Sequence, residues 1–90
     1  MKESLIGMLV LNCMECVSAA VEEIETIGKD NKKTVTHFIN AEHNIGKYHA
    51  YMEILEVLDI EQFIKSHERC KDDCDKVFHG IEKLYWMVEE

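Results

Sequence analysis

The 90-residue chain contains no proline and only four glycines. Proline breaks helix interiors and marks turns, so its absence suits long helices joined by short connections. Positive charge is scarce as well: ten lysines and arginines against 18 acidic residues leave a net charge of −8. Such a chain repels phosphates, which argues against direct nucleic-acid binding; the charge suits a basic partner surface, or simply solubility. The four cysteines fall short of a disulfide-scaffold density. Reduced thiols in a cytoplasmic setting, free or metal-bound, are therefore expected. No run approaches the roughly 20 apolar residues of a membrane span, so no membrane role is expected. Lys2, the apolar residues 5–11 and Cys13 have the outline of a lipoprotein signal. The stretch is short, however, Glu3 lies in the n-region, and Asn12 stands where a small residue is needed.

With 47% hydrophobic and 31% charged residues, residues 1–90 read as one globular domain. Apolar residues recur every three or four positions rather than every second, which is helical periodicity. The first helix is expected over 4–27, with Ser4 as N-cap and Gly28 as the C-terminal stop. A loop follows at 28–33. Thr34 then caps a second helix, 34–58, whose seam is Val35, Phe38, Ala41, Ile45, Tyr48, Met52 and Leu55. Residues 35–39 are β-branched enough for a short strand, which leaves that end open. Gly46 is either a weak point or a spot for close helix approach. Asp59, with Gln62 three residues on, resembles a capping box for the third helix, 60–89. Its seam runs Ile60, Phe63, His67, Cys70, Cys74, Val77, Ile81, Leu84 and Val88. The expected fold is all-α: three long helices in an up-down-up bundle.

The first helix is apolar around most of its circumference, more than a one-sided stripe requires. It either occupies the centre of the bundle or pairs with a second copy, and a homodimer through this helix is the preferred reading. Negative charge covers all three helices, with a net of −4 over 4–27, −2 over 35–58 and −4 over 59–90.

Rise per residue places Cys13, Cys16, His49, His67, Cys70 and Cys74 at one level of such a bundle. Zinc takes four thiolate or imidazole ligands, so Cys13, Cys16, His67, Cys70 and Cys74 are candidate metal ligands. Plain packing of thiols is the competing reading, because free cysteine behaves as a small hydrophobe. The carboxylate pairs Glu22/Glu25 and Glu53/Glu56 have the spacing of magnesium-binding helices. They are expected at opposite ends of the bundle, as solvated surface groups. No nucleophile-elbow or Glu-x-x-His pattern occurs, so no catalytic residue is assigned.

Trp86 lies off the main stripe of the third helix, either as an interface anchor or as cover for the first helix. Together with Tyr85, Glu15 and Glu22 it is a candidate partner-binding residue. The expected function is a small acidic protein-binding module, an adaptor or inhibitor. A phage or mobile-element product that mimics nucleic-acid charge toward a basic nucleic-acid-binding protein would fit. The alternative is a metal- or redox-sensing domain built on the cysteine layer.

Overall fold

The computed structural model describes residues 2–27 and 34–89, apart from the side chains of 34, 84, 85 and 87–89. Among these residues every one but Asp59 is helical, in α1 (Lys2–Ile27), α2 (Thr34–Leu58) and α3 (Ile60–Glu89). The three helices pack on one another in a body of 48 × 17 × 16 Å, with the most extensive contact between α1 and α2. The fold is all-α. The β-branched start of α2 is helical, with Val35, Thr36 and Ile39 exposed and His37 and Phe38 half-buried. Residues 28–33, with the Gly28 stop and the loop, lie outside the described residues, as do the side chains of Thr34, Leu84 and Val88.

α1 begins at Lys2, so Ser4 lies within the helix and is not its cap. Capping preferences are small, and helix ends commonly shift by one or two residues. Asp59 does cap α3: the Gln62 N–H donates to its Oδ1 at 3.2 Å. This single residue also carries the backbone across the junction. Its N–H donates to the Leu55 carbonyl at 2.8 Å, and its carbonyl accepts from the Phe63 N–H at 3.0 Å.

The core is a column of small and medium side chains. Leu9, Cys13, Val17, Tyr48, Met52, Leu55, Cys70 and Cys74 form its main cluster, and Ala20, Ile45 and Val77 continue it. The α2 seam is buried from Ala41 to Leu55, but Val35 is exposed. On α3, Ser66 is buried where His67 was expected, and Ile60 is exposed. Positions 66 and 67 both continue a three-four spacing, and the smaller side chain takes the inward place. Gly46 has open space around its Cα, whereas Gly80 sits directly against Ile24. The close helix approach is therefore at Gly80.

Four residues of α1 are buried, while Leu5, Met8 and Leu11 are exposed. By length and composition α1 could cross a membrane, which corrects the expectation that no segment comes near a span. The same composition describes a helix that packs between two others.

Candidate functional site

Three thiols meet in the core. Cys13, Cys70 and Cys74 belong to one buried cluster, with Cys16 packed against its edge. Burial pushes the Cys13 thiol up to about 11 from an ordinary value of 9.0, helped by the proximity of Cys70 and Cys16. Burial likewise raises Cys16, Cys70 and Cys74. Thiolate is the form that binds metal and attacks disulfides, and this environment disfavours it. The two imidazoles of the expected layer are elsewhere. His49 and His67 are both exposed, so the level count was right for the sulfurs and the helix face was wrong for the histidines. Among the described residues no group of three or more His, Cys, Asp or Glu is arranged to hold a metal ion.

Both histidines line a groove of about 470 Å³ between α2 and α3. Its floor is Tyr48, Met52 and Cys74. At one end Phe63 and His67 stack, their ring centroids 6.4 Å apart and their planes 17° from parallel. At the other, His49 lies 6.2 Å from Phe78 and 5.3 Å from Tyr48. Lys71 and Asp75 stand on the outer lip. The Lys71 ammonium lies 3.2 Å from Glu68, and that hydrogen bond raises its pKa.

Compared with known families, curated proteins and solved structures, the chain has no match. The site must therefore be read from its own chemistry. It is an open trough with aromatic, thioether and imidazole walls.

Away from the groove, the His37 Nδ1 pairs with a Glu23 carboxylate oxygen, tying the end of α1 to the start of α2. Asn40 donates to the other oxygen of that carboxylate at 3.5 Å. His37 Nε2 is buried without a hydrogen-bond partner. His43 and His79 are exposed. Of the partner-binding candidates, Glu15, Glu22 and Trp86 are exposed, Trp86 at 62%. The Tyr85 side chain lies outside the described residues. Glu22, Glu25, Glu53 and Glu56 are all exposed.

Sequence reasoning missed the groove because it ranked α3 by a single stripe. The signal was available: Ile64, Lys71 and Phe78 fall seven residues apart and could have been read as a second set beside the core positions.

Proposed function

We propose that this chain is a small acidic module that acts by docking on a protein partner, as an adaptor or inhibitor, without catalysis of its own. Its helices run up-down-up, and a second copy pairs with it through α1. The observation that carries this reading is surplus apolar surface on an acidic body. Leu5, Met8 and Leu11 are 47%, 61% and 54% exposed along the first turns of α1. Ile6, Gly7 and Val10 share a pocket with Asp59 and Gln62, so these turns lie at the α2–α3 junction. The exposed Ile54 and Val57 approach that same junction. The accessible surface is 6461 Å². A folded monomer of this mass has about 5400 Å², and contiguous exposed apolar patches mark interaction sites.

The up-down-up course is supported by the contacts of Glu23 with His37, Met14 with Arg69, and Ile24 with Gly80. The charge supports the choice of partner. Acidic residues on all three helices fit a basic surface, including one that otherwise binds nucleic acid.

Light scattering tests the dimer: the wild-type chain should have twice the monomer mass, and Leu11→Glu should lower it toward one chain with unchanged helicity. A wild-type monomer at all concentrations removes α1 pairing. For the partner, pull-downs should enrich a basic protein that a DNA oligonucleotide displaces. Recovery of none would remove the docking reading.

A further inference from the structure

Beside its core stripe α3 carries a second one: Ile60, Ile64, His67, Lys71, Cys74 and Phe78, spaced by four, three, four, three and four. Such spacing is the footprint that one helix leaves for another. Ile60, Ile64 and Phe78 are 53%, 54% and 47% exposed, His67 and Lys71 between them are exposed as well, and Cys74 alone is buried, where the stripe meets the core. From Ile60 to Phe78 it runs about 27 Å at 1.5 Å per residue. The α2–α3 groove takes in the part of this stripe from His67 to Phe78, with Tyr48 and Met52 forming the facing side, and Ile60 and Ile64 extend the stripe beyond it.

The two rims of the groove share one sign of charge. On α3, Glu61, Glu68, Asp75 and Glu82 fall every seven residues, forming an exposed acidic line just outside the stripe. On α2, Glu42, His49 and Glu56 also fall every seven residues and are exposed on the other side. Lys71 is the lone cation among the groove-lining residues, and it is matched by Glu68. In helix packing, residues flanking an apolar seam select partners by charge. A second copy of this chain would bring acidic rim against acidic rim, which is repulsive. The helix backbone offers no open strand edge for an extended peptide, and the trough is too open to enclose a small molecule.

We infer that the α2–α3 groove receives an amphipathic helix of the partner protein, with an apolar stripe flanked by lysine or arginine at heptad spacing, packing as a fourth helix. This rests on the reading of the chain as an acidic docking module and gives that module a second face, distinct from α1.

The experiment uses the full chain and a dye-labelled synthetic helix of about three heptads, with Leu at the seam and Lys at the flanks. A version with Glu at the flanks is the control. Fluorescence anisotropy should show binding of the Lys probe that weakens with salt, and binding of the Glu probe about tenfold weaker or less. Phe78→Asp should reduce affinity for the Lys probe about tenfold, as should the pair Asp75→Lys and Glu82→Lys. Leu11→Glu should leave it unchanged. The charge pair is fully on the surface, so it decides the matter if Phe78→Asp loses helicity. Wild-type affinity in the charge pair, or loss with Leu11→Glu instead, overturns the groove and leaves the docking module standing. Failure of the Lys probe to bind anywhere on the chain removes both.

Discussion

Tyr48 and Cys74 face the same groove from opposite sides of the α2–α3 seam and are both buried at its floor. Burial raises the pKa of both groups, and for the Cys74 thiol the neighbouring Tyr48 hydroxyl opposes that rise. Tyr48→Phe should therefore push the Cys74 thiol further up, read from the pH dependence of its alkylation in a variant without the other cysteines. An unchanged alkylation profile would show that the hydroxyl does not reach the sulfur.

Alkaline pH should destabilise the fold through the buried thiols. Below the ordinary thiol value of 9.0 both folded and unfolded chains keep their protons, and stability does not respond to these groups. Between 9.0 and about 11 the unfolded chain releases the Cys13 proton while the folded chain retains it, so stability falls as pH rises. Tyr48, also raised, adds in the same direction at higher pH. Cys13→Ala should flatten the early part of that decline in denaturant titrations, while lowering stability at neutral pH.

The two mid-helix glycines should respond oppositely to alanine. Gly46 faces open space, so Gly46→Ala should stabilise by about 1 kcal/mol through helix propensity. A methyl at Gly80 would fall on the Ile24 side chain, whose Cδ1 and Cγ1 would be 3.2 and 3.3 Å away and its Cγ2 closer. Gly80→Ala should lower the melting temperature unless paired with Ile24→Val or a smaller residue.

Core and surface aliphatics give a further contrast. Leu55 is fully buried, and Leu55→Ala should cost about 2–5 kcal/mol by leaving a cavity. Val57, two residues on and 86% exposed, should change stability by less than about 0.5 kcal/mol as Val57→Ala. Equal losses at both positions would mean that Val57 is covered in solution, as it would be near a subunit interface.

Much of the fold was legible because periodicity and punctuation agree. The bounds of α2 and α3 follow from the apolar spacing and from Asp59, whose carboxylate caps α3 as its residue type suggests. The meeting of Cys13, Cys70 and Cys74 in one cluster agrees with the level count from rise per residue, taken with first and third helices that run parallel. What was not legible was rotation about the α3 axis. A spacing of three or four admits either Ser66 or His67 on the inner face, and only the packing against α1 and α2 chooses. That ambiguity placed His67 among the thiols when it belongs to the groove. The Glu23–His37 pair was equally hidden, since it depends on the relative level of two helices across the 28–33 segment.

A rod 48 Å long and about 17 Å across has a thread-like interior, with no residue far from solvent. Neighbouring turns support one another, and support fades toward the tips, where a helix has partners on one side only. Opening should therefore start at the extremities and spread inward. Hydrogen–deuterium exchange would read this as a gradient, slowest for amides near Cys13, Tyr48 and Cys70 and fastest at the tips. A uniform profile would show instead that the whole rod melts as one unit.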